Sequence, residues 1–239
     1  MRTVFTIGGG TAASARRWSY AVLVFMTLAA GAMDAVAFMA LGGVFTANMT
    51  GNLILVALVG GEDWEIRALR AGLACVVFAV GLYAGFRMPA LGRGGERWPL
   101  AVTHLLWADL ALQTAFLVGW ILCEAAPGPP LTLVFIAMAS CAMGIQAAAA
   151  HRVSIAGITT TFVTGTLTAL AESLVSRNGD IAHRAVIVLA LVCGALCASL
   201  LLHFARVWAA VVPLVFMFAA LMIVMTRLHT RKPNRGRGE

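Results

Sequence analysis

Eight polar residues stand where their chemistry could act inside apolar sequence: Asp34, Asn48, Thr50, Asn52, Asp109, Gln146, Thr164 and Thr166. Two are carboxylic acids, three are amides and three are alcohols. Such a set can bind a small polar solute or ion, or hold a proton. It has no nucleophile paired with a base, so no catalytic residue is expected. The five cysteines are odd in number and form no C-x-x-C pair, which excludes a zinc ribbon or a disulfide frame. Neither a metal nor another cofactor is expected.

The spacing of these residues carries more than their types. The run Gly42–Leu58, GGVFTANMTGNLILVAL, has an echo 114 positions later in Ile158–Leu170, ITTTFVTGTLTAL. Thr46 falls on Thr160, Thr50 on Thr164, Gly51 on Gly165, Asn52 on Thr166 and Leu53 on Leu167. Both copies are too short for a comfortable membrane span, and both place a Thr/Asn/Gly cluster in apolar surroundings. Paired, interrupted hydrophobic segments in the two halves of a membrane protein point to a binding site.

The elements that must position these residues follow from composition. Hydrophobic residues make up 61% of the 239, charged residues 11%, and the mean hydropathy is +0.92. Soluble domains carry about 25% charged residues, so this chain cannot face water on all sides. The expected fold is an all-α integral membrane domain, one domain over 1–239. Its basic tails are 1–17 and 229–239. A cleaved signal peptide does not fit, because the first apolar stretch runs on past Asp34 to Leu41.

Six runs are long enough to cross about 30 Å of hydrocarbon as helix. They are Trp18–Leu41, Ile66–Phe86, Pro99–Cys123, Leu131–Ala150, Ile181–Phe204 and Val207–Leu228. The two short segments are read as re-entrant. Each would enter extended, over Gly42–Asn48 and Ser154–Thr161, and return as half-helices Met49–Gly60 and Phe162–Ser176. Asn48 or Thr46 could cap the first and Thr160 or Thr161 the second. Their N-termini would meet near the midplane and present free N–H groups and partial positive charge.

Basic residues orient the spans. With re-entrant segments, 14 of the 17 Lys and Arg fall on one side, leaving Arg67, Arg70 and Arg206 on the other. Both termini are therefore expected in the cytoplasm. Repeat 1, about 18–123, and repeat 2, about 131–228, each cross three times, so the second enters upside down: an inverted-topology repeat. The offset of 114 sets Gly81 and Gly85 on Ala195 and Ser199, a recurring small-x-x-x-small pattern that lets helices approach closely.

An Asp at a helix centre costs about 2.5–3.5 kcal/mol on insertion scales, and such residues usually face the bundle interior. Asp34 and Asp109 are therefore site candidates, although a neutral Asp bonded to backbone or hydroxyl groups would serve structure alone. Gln146 is either a wall residue of the site or interhelical glue. Asp109 and Gln113 share a helix face at i, i+4. Trp18, Trp64, Trp98 and Trp208 read as an aromatic belt, and Gly8–Gly10 as a flexible tail.

The stretch Gly31–Leu58, GAMDAVAFMALGGVFTANMTGNLILVAL, resembles the signature of the YoaK-like family of uncharacterised bacterial inner-membrane proteins. Gly31, Asp34, Gly43, Phe45, the Asn48–Asn52 run and the later Thr164-Gly165-Thr166 carry the likeness. The resemblance implies about six spans in the bacterial inner membrane and implies no activity. The expected function is a small-solute transporter or channel with a midplane site. The alternatives are a scaffold or regulator of a partner complex and an intramembrane enzyme. The expected partners are the lipid bilayer and a small solute or ion; nucleic acid is excluded, and a homodimer is allowed.

Overall fold

The computed structural model describes residues 9–61, 63–89, 98–153, 163–176 and 181–228. They form eight α-helices: α1 Gly9–Ala40, α2 Met49–Ala57, α3 Trp64–Arg87, α4 Leu100–Leu122, α5 Pro129–Val153, α6 Val163–Ser176, α7 Ile181–Phe204 and α8 Val211–Ile223. A 3₁₀ turn, Arg206–Trp208, leads into α8, and a π-helical turn, Val224–Leu228, continues it. Six helical stretches are long and apolar enough to cross a membrane: Ser14–Ala40, Trp64–Arg87, Leu100–Leu122, Pro129–Val153, Ile181–Phe204 and Arg206–Leu228. This is a multi-pass membrane protein. The expected extended segment Ser154–Thr161 lies outside the described residues, as do the C-terminal tail and most of the 87–98 loop.

Helix directions follow from contacts at helix ends. Tyr20, early in α1, donates from its hydroxyl to the His183 carbonyl, early in α7, at 2.7 Å, so these helices run the same way. Arg152, near the end of α5, donates to the carbonyls of Gly85, Phe86 and Met88 at the end of α3, at 3.1, 3.1 and 2.7 Å. Those two helices are therefore parallel as well. The Arg227 guanidinium lies 4.8 Å above the Trp18 ring, which sets α8 antiparallel to α1. At the opposite end, Trp120 Nε1 donates to the Arg206 carbonyl at 3.1 Å and Arg206 Nε to the Ala125 carbonyl at 3.0 Å. These bonds place the α4–α5 turn beside the start of α8. Helices α1, α4 and α7 thus point one way, and α3, α5 and α8 the other.

Glycine decides the closest packing. A Cβ on Gly31 of α1 would collide with the Leu191 carbonyl of α7, and one on Gly194 of α7 with the Leu28 carbonyl of α1. The α3–α5 pair repeats this contact: Gly144 faces the Phe78 carbonyl and Gly81 the Cys141 carbonyl. Each such contact brings two backbones together, which only a missing side chain permits. The counterparts stand 113 positions apart, as Gly81 and Gly194 do, not 114. At the offset of 114 read from the sequence, Gly81 falls on Ala195, the neighbour of Gly194.

The remaining packing is matched in the same sense. Helix α1 packs on α7 and α8, and α5 on α3 and α4; α2 lies on α3, and α6 on α7. Helices α1 and α5 are central. Of their most apolar stretches 61% and 67% are buried, against 22% for α3. Trp120 and Phe116 stack, and Phe135 packs edge-on and tilted against them, in the core between α4 and α5, with Met33, Leu41 and Val44 in the same cluster.

Two expectations fail at the ends. Gly9 and Gly10 open α1 rather than belonging to a loose tail. Trp98 is buried, donating from Nε1 to the Thr103 hydroxyl at 3.2 Å, so it is no part of an aromatic belt. Trp208 is exposed as a belt requires.

Candidate functional site

The first polar cluster forms around the Asp34 carboxyl, near the end of α1. The chain leaves α1 through Gly42 and Gly43, with φ of +92° and +79°, values an L side chain rarely adopts. The Gly43 amide donates to the Phe38 carbonyl at 3.1 Å. The turn sends residues 44–48 back alongside the helix they have just left. One oxygen of Asp34 then accepts three hydrogen bonds, from the Thr46 amide at 2.6 Å, the Ala47 amide at 2.7 Å and the Thr46 hydroxyl at 2.9 Å.

Asn52 completes the clamp from α2. Its side-chain oxygen accepts from the Phe45 amide at 2.9 Å, and its side-chain nitrogen donates to the Phe45 carbonyl at 2.6 Å. The side chain thus replaces a strand partner for one partly buried peptide of irregular backbone, which at membrane depth must find its hydrogen bonds within the protein. Asn48 caps α2, its side-chain oxygen accepting from the Gly51 amide at 3.4 Å. The Phe38 and Phe45 rings stack at 5.0 Å over the turn. Arg70 of α3 fills the space beside Gly42.

Exposure divides these residues. Thr46 and Asn52 are fully buried, Asp34 is partly buried, and Asn48 and Thr50 are exposed. The N–H groups that precede α2 are spent on Asp34, so the protein's own carboxyl takes the place of an external anion there. Sequence spacing made Asp34 and Asn52 legible; it did not show that both would close on the same three-residue stretch, Phe45–Ala47.

The second cluster lies deeper. Asp109 is fully buried and accepts from the side-chain nitrogen of Gln113, one turn along α4, at 2.9 Å. Gln146 of α5 donates to the Met26 carbonyl of α1 at 2.6 Å and so ties the two central helices. Met26 precedes Asp34 by eight residues, about 12 Å along a helix axis, so Gln146 sits well below the Asp34 clamp. Gln113 is a further polar residue of the site region, found through its i, i+4 relation to Asp109.

On the other half, Thr166 is buried in α6, and the Thr164 side chain lies outside the described residues. Arg184 of α7 donates to the Ala169 carbonyl of α6 and holds that helix to its neighbour. Glu172 is exposed. Cys193 and Cys197 are exposed on α7, and no group of three or more His, Cys, Asp or Glu side chains arranged to hold a metal ion occurs among the described residues.

Comparison with known proteins agrees with this polytopic layout. Residues 22–224 match the model of a protein family of unknown function, DUF1275. The chain belongs to that family. It is 32% identical over 228 residues to the UPF0700 transmembrane protein YoaK of Bacillus subtilis (strain 168), covering 88% of this chain and 96% of that one. No solved structure matches it. The DUF1275 match takes in the Asp34 clamp, the Asp109–Gln113 pair, Gln146 and α6 together.

Proposed function

We propose that this DUF1275 protein moves a small solute or ion across the membrane, through a site built on the interrupted segments at α2 and α6. The observation that carries the reading is the Asp34 clamp: nine residues of helix packed on α3, preceded by irregular backbone that Asp34 of α1 holds. A helix of nine residues spans about 13.5 Å, less than half of a bilayer core, so α2 is read as re-entrant. Irregular backbone at that depth is tolerated where protein buries it or it lines a cavity.

The matched packing supports an inverted repeat. The pair α1–α7 answers to α5–α3, with glycine contacts in register at 113 positions, and α1 runs antiparallel to α5. In such repeats, binding sites lie where equivalent broken helices meet. The proposed site takes Asp34, Asn48, Thr50 and Asn52 from one half and Thr164 and Thr166 from the other, with Asp109 and Gln146 deeper along its wall. At the register of 113, Asp34 answers to Ala147. The two halves therefore offer unlike groups, and at this position only one side carries a carboxyl.

Orientation follows the basic residues. Arg16, Arg17, Arg87, Arg152, Arg184 and Arg227 all lie at the end of the bundle where α1 starts, and Asp63, Glu65 and Glu124 lie at the other. The positive-inside rule puts the first end, with both termini, in the cytoplasm of a bacterial inner membrane.

A scaffold or regulator is the second reading, favoured by the three donors already satisfied on Asp34. A thermal-shift screen of ions and metabolites on purified protein separates the two. Transport requires a ligand that raises the unfolding temperature of the wild type and fails to do so in Asp34→Asn. A scaffold gives no ligand response and a co-purifying partner.

A further inference from the structure

The Asp109–Gln113 pair has more acceptors than donors. Asp109 Oδ2 and Gln113 Oε1 are both buried without a hydrogen-bond partner, and so is Gln146 Oε1 on the facing helix α5. Asp109, Gln113 and Gln146 are 0%, 2% and 3% exposed. Buried polar atoms are almost always paired, and leaving a buried carboxyl oxygen unpaired is costly. Three orphan oxygens, one of them a carboxyl oxygen, call for a donor or a positive charge. No hydrogen bond supplies either to these three oxygens, and the buried Ser140 hydroxyl of α5 is likewise without a partner. Helix α8, packed on α4, has no titratable side chain, and those of α5 are Cys141, His151 and Arg152, the last bound to the end of α3. Arg206, at the end of α4, is already bound to the Ala125 carbonyl.

We propose that Asp109 and Gln113 form an internal binding site for a small monocation, a proton or a sodium ion. The carboxyl oxygen and the amide oxygen would bind the ion. A bare ion is favoured here over an organic solute, because the Asp109 and Gln113 side chains are 0% and 2% exposed. Binding here does not depend on the transport reading. If the protein is a transporter, this cation is the one whose gradient drives it.

The test is the unfolding temperature of purified protein in detergent at constant ionic strength. Choline is replaced stepwise by sodium at acid, neutral and alkaline pH. A sodium site gives a saturable rise with sodium, strongest at alkaline pH. A proton site gives a rise on acidification that sodium does not alter. Either response should disappear in Asp109→Asn. Gln113→Met keeps the carboxyl; at a sodium site it should raise the half-maximal sodium concentration about tenfold, the loss of one hydrogen-bonding group beside a charge, and at a proton site, by removing the amide donor that favours the carboxylate, it should move the midpoint to higher pH. A wild type that answers to neither cation overturns the proposal and leaves a buried water as the filler. So does a response that survives Asp109→Asn and is lost in Asp34→Asn, which would assign the cation to the clamp. Should Asp109→Asn fail to accumulate, an unchanged midpoint in Gln113→Met overturns it.

Discussion

The Asp34 carboxyl holds Thr46 by two bonds from one oxygen, 2.6 Å to its amide and 2.9 Å to its hydroxyl. This ties the last turns of α1 to the backbone that opens α2. Because the amide bond survives any side-chain change at Thr46, the two components can be separated. Thr46→Val should lose the hydroxyl bond alone and destabilise the protein by about 1–2 kcal/mol. Asp34→Ala also strands the amides of Thr46 and Ala47 and should cost about 3 kcal/mol or more. Thermal unfolding in one detergent ranks them; equal losses would show that the hydroxyl contributes most of the clamp.

Asn52 should tolerate no isostere. Asn52→Asp keeps the acceptor for the Phe45 amide but sets a carboxylate against the Phe45 carbonyl. Asn52→Leu keeps volume and orphans both groups of one peptide. Each should cost about 2–3 kcal/mol, with faster proteolysis at the 42–48 turn. Resistance equal to the wild type would show that Asn52 does not pin that turn.

The glycine contacts make a symmetric forecast. Gly31→Val and Gly144→Val should each push apart a helix pair at a backbone-to-backbone contact and cost at least about 2–3 kcal/mol, with similar losses in the two halves. Gly128→Ala is the control, since a Cβ there meets nothing within 4 Å. Loss confined to one half would argue against the repeat.

Arg152 closes the end of α3 by bonding three carbonyls that the helix leaves open. Arg152→Met keeps the apolar stem and removes the donors. Hydrogen exchange at residues 85–88 should rise well above that in the middle of α3. Unchanged protection would mean that the helix end is held by packing alone.

Topology is tested by reporter fusions. Fusions after Arg93 and after Lys232 should report the cytoplasm and one after Asp63 the exterior. An exterior signal at Arg93 would mean that the segment containing α2 crosses the membrane.

The sequence by itself determined the class and the spans. Apolar length is a local property, so runs of twenty or more residues mark crossings wherever they later pack. Asp34, Asn52 and the short segment between the first two spans also stood out, because polar residues in apolar surroundings are costly without partners. Asn48 was legible as a cap because capping is local too. Which groups would become those partners was not local. Asp34 reaches twelve residues ahead, Gln146 bonds to a carbonyl 120 positions away, and Arg152 closes a helix 64 to 67 positions earlier. That the glycines Gly31 and Gly144, and Gly81 and Gly194, each 113 positions apart, all lie against a backbone of another helix was not local either. Where one backbone can rest on another depends on both helices, and only their packing decides it.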